Sequence, residues 1–435
     1  MKQFVKRHLT ALYVSQMQRI IKKHKPLVIA VAGSVGKTST KLAIATVVSE
    51  KYRVLVQNGN YNVALSVPFI FFDRELPSLT NPISWFSAWL HAERVIRGSF
   101  PYDVVVIELS PDELDQDVAF KDIINPDITV LTAVSAEHME YFSTLDTIAE
   151  KEFAIATHCR KLLLGSDDIA ATYIDRYTKH IEQPVLRYGF IAPADCLVAQ
   201  APDNSQSVSV RFADGLELTT QTNLLAKHSI KSLAAAALVA KELGLSGEQI
   251  VAGTAKVVPF AGRMQLLKGI KDSTIIDDSY NASPLAVAAA LETLQSVAAP
   301  QRIALLGNMN ELGDTSKDAH EQIGKLCDVQ KLDLVVTLGK DANQYTAATA
   351  EQHGCKVVRT NSPYEAGKVI ADNLQTGAYV LIKGSQNGVF SEEAIKSILA
   401  DPADAAKLVR QSAYWFAIKR SQFADAHITS DISVK

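Results

Sequence analysis

The run Gly33-Ser34-Val35-Gly36-Lys37-Thr38-Ser39 constrains this chain most, because it stands between an apolar stretch at 27–32 and a helical pattern. A glycine-rich turn from strand to helix lets backbone N–H groups approach phosphate oxygens, and the helix N-terminus adds positive potential. Lys37 then reaches the terminal phosphates and Thr38 supplies a magnesium ligand. The predicted ligand is a nucleoside triphosphate, contacted by Gly33, Ser34, Val35, Gly36, Lys37, Thr38 and Ser39. In a strict P-loop a glycine occupies the position of Val31, so this loop is a shorter variant. The Lys-Thr-Ser sequel in a strand-to-helix setting argues against an ordinary tight turn.

Around this loop, short apolar runs at 27–32, 104–107, 128–131 and 162–164 predict buried strands of a mainly parallel sheet covered by helices. A hairpin is expected within 208–220, turning at Asp214 and Gly215, followed by an alanine-rich helix at 232–243. After a linker near 259–262 the alternation restarts at 274–276, 303–306, 334–338 and 379–382, which is a second α/β domain. The length of 435 residues supports several folded units. A hydrophobic content of 47% with 21% charged residues fits ordinary globular cores.

Charge excludes one class of partner. The net charge of −3 gives no overall positive field for nucleic acid. The four cysteines are too scattered for a disulfide framework or a CxxC metal site, and read as reduced thiols of a cytoplasmic protein. No run approaches the ~18 apolar residues of a membrane span, and the N-terminus lacks the pattern of a secretory signal.

Locally the balance differs. No acid precedes Glu50, whereas Lys2, Lys6, Arg7, Arg19, Lys22, Lys23 and Lys25 crowd ahead of Pro26. Phe4, Val5, Leu9, Leu12, Tyr13, Met17, Ile20 and Ile21 recur at helical spacing, so residues 1–26 predict a basic amphipathic helix. Its stripe either packs on the protein's own body or, through residues 1–25, meets an anionic membrane surface or a partner protein. Trp85, Phe86, Trp89 and Leu90 form a second patch at helical spacing, read as core.

Three further places carry polar chemistry. Glu108 ends an apolar strand, so its carboxylate emerges at the sheet edge where ligands of α/β folds gather, suited to hold magnesium or else to serve as a helix cap or surface salt bridge. His138 follows the next strand at the same edge. Asp277-Asp278-Ser279-Tyr280-Asn281 follows a strand and precedes a helix, a turn suited to a ribose or a metal-bound phosphate, or to capping the helix.

In order along the chain, AGSVGKTST at 32–40, GNYN at 59–62, Glu108, EHMEYF at 137–142 and EKEF at 150–153 resemble the Mur ligase family. So do His228 before the alanine-rich helix, GRMQ at 262–265, IDDSYNASP at 276–284, LGNMNELG at 306–313 and KGS at 383–385. The resemblance implies a central P-loop-type ATPase domain at 27–260, a C-terminal Rossmann-like α/β domain at 261–420 and a tail at 421–435. It implies an ATP-dependent amide ligase working through an acyl phosphate, with ATP and Mg2+ as cofactors. The closest subtype adds D-alanyl-D-alanine to a UDP-N-acetylmuramoyl-tripeptide in peptidoglycan synthesis.

On this resemblance Lys37, Glu108, His138 and Lys151 are catalytic, and Thr38, Glu108, His138 and a carbamylated Lys151 form the metal sites. His228, Arg263, Asp278, Tyr280 and Asn281 face the nucleotide, and Asn60, Asn62, Lys383 and Ser385 face the substrates. The implied partners are a small-molecule or lipid-linked cell-wall precursor and a D-alanyl-D-alanine-like amine, at the inner face of the membrane if the N-terminal helix engages it. Departures from the family pattern mark the substrate side. Only 26 residues precede the core, too few for the UDP-binding domain, and the adenine-side HNxxN reads His228-Ser229-Ile230-Lys231-Ser232. Two other functions stay open: a Mur-type ligase for another peptide or a polyglutamate-type acceptor, and a non-catalytic nucleotide-binding module.

Overall fold

The computed structural model of the chain describes residues 2–57, 65–78, 81–110, 123–135, 144–201 and 206–423. The chain divides into two compact units, with the main break between Val258 and Pro259.

In the first unit nine strands form one sheet: β1 (Leu27–Ala32), β2 (Val54–Val56), β3 (Val104–Glu108), β4 (Ile128–Leu131), β5 (Leu162–Gly165), β6 (Val185–Gly189), β7 (Cys196–Gln200), β8 (Ser207–Phe212) and β9 (Glu217–Gln221). Their order is β2-β3-β1-β4-β5-β6-β7-β8-β9. Pairing is parallel from β2 to β7 and antiparallel from β7 to β9. The expected hairpin is β8–β9, with Gly215 at φ +89 in its turn. β1 reads Leu-Val-Ile-Ala-Val-Ala and is buried on both faces, as a central parallel strand requires. It lies between β3 and β4, so the chain leaves it in opposite directions and a crevice opens at its C-terminal end.

The helices of this unit are α1 (Lys2–His24), α2 (Lys37–Val48), α3 (Val67–Phe71), α4 (Pro82–Arg97), α5 (Leu145–Ala156), α6 (Ala171–Thr178), α7 (Lys227–Glu242) and α8 (Gly247–Ala255). The amphipathic helix expected at the N-terminus is α1, and its stripe packs on the protein's own body. Tyr13, Met17 and Ile20 are fully buried. The Tyr13 ring sits 4.9 Å from Phe69 of α3 and 5.5 Å from Trp85 of α4. Tyr13, Met17 and Ile20 of the stripe are therefore spent on the protein's own body, whereas Leu12 remains exposed. The patch at 85–90 is not all core either: Trp85 is buried, whereas Phe86 and Leu90 are exposed. Among the described residues, no helix is long and apolar enough to cross a membrane.

The second unit carries β10 (Gln265–Lys268), β11 (Thr274–Asp278), β12 (Arg302–Gly307), β13 (Leu334–Leu338), β14 (Val357–Thr360) and β15 (Tyr379–Lys383), ordered β10-β11-β15-β12-β13-β14. All pairs are parallel except β10–β11. Its helices are α9 (Pro284–Ser296), α10 (Ser316–Leu326), α11 (Ala347–Gln352), α12 (Pro363–Asn373), α13 (Glu392–Ile395) and α14 (Ala413–Gln422). Successive strand residues point to opposite faces. Ile276, Leu306 and Leu381 therefore meet Leu291, Leu294 and Ile323 on one side, while Ile275, Leu305 and Ile382 meet Ile370 and Ile395 on the other. Such a three-layer unit needs both apolar faces covered, which is why these strands read as continuous apolar runs. α14, anchored by the buried Lys419, continues through Gln422 into the start of the stretch expected as a tail.

Candidate active site

The turn between β1 and α2 depends on two left-handed glycines. Gly33 has φ +120 and Gly36 φ +86, the latter capping α2. A Cβ at Gly33 would lie 2.4 Å from Thr132 Oγ1 and 2.9 Å from the Ala133 nitrogen, so a side chain there displaces β4's exit. Thr132 braces the turn from the other side, its hydroxyl donating to the Val35 carbonyl at 2.6 Å, and Ser34 Oγ accepts from the Ser135 nitrogen at 3.1 Å. The first turn of α2 carries no acid, which leaves its positive end uncompensated.

Within this cradle Lys37 folds back, donating to the carbonyls of Gly33 at 2.6 Å and Ser34 at 3.2 Å. Thr38 Oγ1 donates to Glu108 Oε2 at 3.0 Å. Glu108 is almost wholly buried, and Lys41, one turn further along α2 and equally buried, stands 3.3 Å from the same oxygen. A carboxylate out of water needs a counter-charge, and Lys41 provides it. Burial pushes the Lys41 ammonium down, while Glu108 pulls it up by charge and hydrogen bond. A threonine hydroxyl and one carboxylate converging beside a phosphate loop are hard oxygen donors, and fit a magnesium ion that takes its remaining ligands from phosphates and water. No cluster of three or more acids, histidines or cysteines suited to an all-protein metal cage occurs among the described residues.

Other contributors carry no motif of their own in the sequence. Glu152 is buried on α5 and its Oε2 accepts from the Gly33 nitrogen at 2.8 Å, fixing the loop's first amide. An acid on the buried stripe of Ile148, Ala149, Phe153 and Ile155 is the signal that would have found it. Gln57 Oε1 accepts from the Glu108 nitrogen at 2.6 Å. Lys151, expected at a metal site, is exposed on α5. Asn60, Asn62 and His138 lie outside the described residues, as does the side chain of His228, whose backbone is in α7. The serines that replace the family's amides turn inward: Ser232 is buried and donates to the Ser229 carbonyl at 2.5 Å. Lys231 is ion-paired with Asp168 beside Gly36, Thr40 and Thr132. Burial brings its ammonium down to about 8, against the pull of Asp167.

The remaining expected residues assemble at the C-terminal edge of the second unit's sheet. Arg263 lies 4.5 Å over the Tyr280 ring, and its buried Nε has no hydrogen-bond partner. Asp278 Oδ1 accepts from the Met264 nitrogen at 3.2 Å. Lys383 and Ser385, expected to face the substrates, are buried and bonded within this turn. Lys383 pairs with Asp278 Oδ2 at 2.8 Å and also donates to the Asp278 and Asn281 carbonyls, the former at 3.3 Å. Ser385 Oγ donates to the Ala282 carbonyl at 3.1 Å and accepts from the Asn310 nitrogen at 2.9 Å. The reason is register: Asp278 and Lys383 are directly paired on β11 and β15, so opposite charges meet where burial demands neutrality. Arg410 completes the support, donating to the Ser279 and Tyr280 carbonyls at 2.7 and 3.0 Å while paired with buried Glu392 at 2.6 Å.

Comparison with known proteins agrees with both units. The Mur ligase middle domain matches residues 31–240, and the Mur ligase, glutamate ligase domain matches residues 262–386. The UDP-N-acetylmuramoyl-tripeptide--D-alanyl-D-alanine ligase of Bacillus subtilis is 25% identical over 382 residues, covering 86% of this chain and 76% of its own length. The enzyme of the same name from Escherichia coli is 24% identical over 380 residues, covering 85% and 76%. Among solved structures, MurF ligase from Thermotoga maritima in complex with ADP superposes with a TM-score of 0.72 at 22% identity, covering 89% of this chain and 83% of that one. With a phosphate loop built on β1 and α2, a buried threonine–carboxylate pair beneath it, and two successive domain matches spanning most of its length, this chain belongs to the Mur ligase family.

Proposed function

We propose that this protein is an ATP-dependent amide ligase that joins D-alanyl-D-alanine to the terminal carboxylate of a UDP-N-acetylmuramoyl-tripeptide-type precursor in peptidoglycan synthesis. The observation that carries the ATP-dependent step is the Thr38–Glu108 pair under the phosphate loop. The substrates follow from the names of the curated relatives, which align over most of the chain.

A carboxylate oxygen is a poor leaving group, so activation precedes amide formation. The substrate carboxylate attacks the γ-phosphorus, an O–P bond forms, the bond to the bridging oxygen breaks and ADP leaves. The amine nitrogen then attacks the acyl carbon, loses a proton, and the C–O bond to phosphate breaks. Neither step requires a protein nucleophile. The work of the chain is alignment and charge neutralisation. The backbone amides of 35–38 cradle the phosphates, those of Gly33 and Ser34 being bonded to Glu152 and to the Ala133 carbonyl. Lys37 exchanges its contacts with the Gly33 and Ser34 carbonyls for phosphate oxygens. Thr38 and Glu108 would hold Mg2+, whose contribution is to offset negative charge on the phosphates. His138 belongs to the second metal position in this reading, and Asn60 and Asn62 to the substrate-binding residues. Arg263, with an unpartnered guanidinium N–H stacked on Tyr280, is available to an anionic ligand, and Asn281 and His228 belong to the nucleotide side.

Carbamylation of Lys151 would turn an exposed amine into an anionic oxygen donor, and intact mass measured in bicarbonate tests it. Contact of residues 1–25 with a membrane or a partner protein would be made by the basic side of α1. The deciding experiment supplies UDP-N-acetylmuramoyl-tripeptide, D-alanyl-D-alanine and Mg-ATP and seeks the pentapeptide product by mass. ADP release with other carboxylate and amine pairs only would replace these substrates. Nucleotide binding with no turnover for any pair would leave a binding module.

A further inference from the structure

The exposed side of the α1–α4 helix pair brings large apolar side chains and cations together, because of how the two helices are aligned. Tyr13 Oη donates to the Trp85 carbonyl at 2.7 Å, Gln16 Nε2 to the Trp89 carbonyl at 3.3 Å and Lys23 Nζ to the Ile96 carbonyl at 2.8 Å. Both numbers of each pair rise together, so the helices run side by side in the same direction. On α4 the residues at 83, 86, 90, 94 and 97 recur every three or four positions and occupy one stripe. All five are exposed.

The first three are apolar: Ile83 is 79% exposed, Phe86 61% and Leu90 36%, and Leu12 of α1, level with them, is 44% exposed. The last two are Arg94 and Arg97, level with the exposed Arg19 and Lys22 of α1. A row of large apolar side chains thus passes directly into a cluster of cations. The only carboxylate on either helix, Glu93, is already neutralised by Arg19 and Arg97 and accepts from Gln16.

We propose that this face docks the protein on an anionic lipid bilayer. Phe86, Leu90, Ile83 and Leu12 enter the boundary between headgroups and acyl chains, and Arg94, Arg97, Arg19 and Lys22 meet lipid phosphates. Charge complementarity selects the occupant. A protein partner would need a matching acidic rim and a shaped apolar pocket, whereas a bilayer offers an apolar interior beneath a dense anionic surface along the whole pair. The face is independent of the ligase reading, since none of its residues belongs to the phosphate loop or to the second unit.

The test is co-sedimentation of the full chain with vesicles of phosphatidylglycerol and phosphatidylcholine against vesicles of phosphatidylcholine alone, at low and high salt. Binding is expected to the anionic vesicles and to weaken with salt. Ile83→Ser with Phe86→Ser lowers the partition coefficient by about tenfold or more, and Lys22→Gln with Arg94→Gln lowers it by about tenfold. Because these side chains are exposed, melting temperature and ATP turnover stay at the parental values. Absence of binding, equal binding to the two vesicle types, or binding unchanged in both variants overturns the proposal. So does concentration-dependent self-association of the parent in analytical ultracentrifugation that Phe86→Ser abolishes, which would assign the face to a second copy of the chain.

Discussion

At the residue scale, function rests on a few groups whose partners are fixed by burial. Replacing Lys37 by Ala removes the one flexible cation of the phosphate loop and is expected to lower ADP release by about 10²-fold or more, read in a coupled assay. Glu152→Ala leaves the Gly33 amide without its acceptor and is expected to cost about 1–3 kcal/mol by denaturant unfolding, with weaker nucleotide binding besides. Asp277 gives a pH signature. Burial, with a smaller push from Asp278 and Glu392, raises its carboxyl from 3.8 to about 6, although Ser279 hydrogen bonds oppose the shift. Between those values the folded state keeps a proton that the unfolded chain has released, so this group's contribution lowers stability as pH rises from about 4 to 6. Asp277→Asn is expected to be more stable than the parent at pH 7, by up to about 3 kcal/mol, with the difference vanishing near pH 4 in urea titrations. At this scale the sequence showed Lys37, Thr38 and Glu108, because a motif and a strand end locate them. It did not show Glu152, Gln57 or Lys41, whose parts come from contacts between segments distant in the chain. Nor did it show the pairing of Lys383 with Asp278, which comes from cross-strand register.

At the element scale, α1 is the instructive case. Periodicity alone predicted a one-faced helix but left open what would cover the face. The answer lies in α3 and α4, whose aromatic side chains enclose Tyr13. Met17→Ala is therefore expected to destabilise the first unit by about 2–5 kcal/mol, and Tyr13→Phe, which loses only the bond to Trp85, by about 1 kcal/mol. Both are measured by chemical denaturation. A helix lying free on the surface would show neither loss. The strands β6 and β7 escaped the sequence reading, because half-buried Arg187 and exposed Ala199 and Gln200 interrupt their apolar character. Pairing with neighbours, not propensity, makes them strands.

For the whole molecule, each unit has its own sheet and its own helices, so two unfolding transitions are expected in calorimetry. Met17→Ala should lower one, and Leu381→Ala, in the core of the second unit, the other. Mg-ATP at about 100 times its Kd should stabilise the state that binds it by about 2.7 kcal/mol. A single transition shifted equally by both substitutions would refute the independence of the two cores. The sequence by itself determined two α/β units, the phosphate loop and the acid at the end of β3, because strand periodicity, a glycine turn and the Lys-Thr pair are local chemistry. Only the tertiary structure decided which charges are spent on the protein itself, as in Lys41 with Glu108 and Lys383 with Asp278, and which face of α1 and α4 meets solvent. Those outcomes depend on desolvation, and whether a group loses water is settled by segments far from it in the chain.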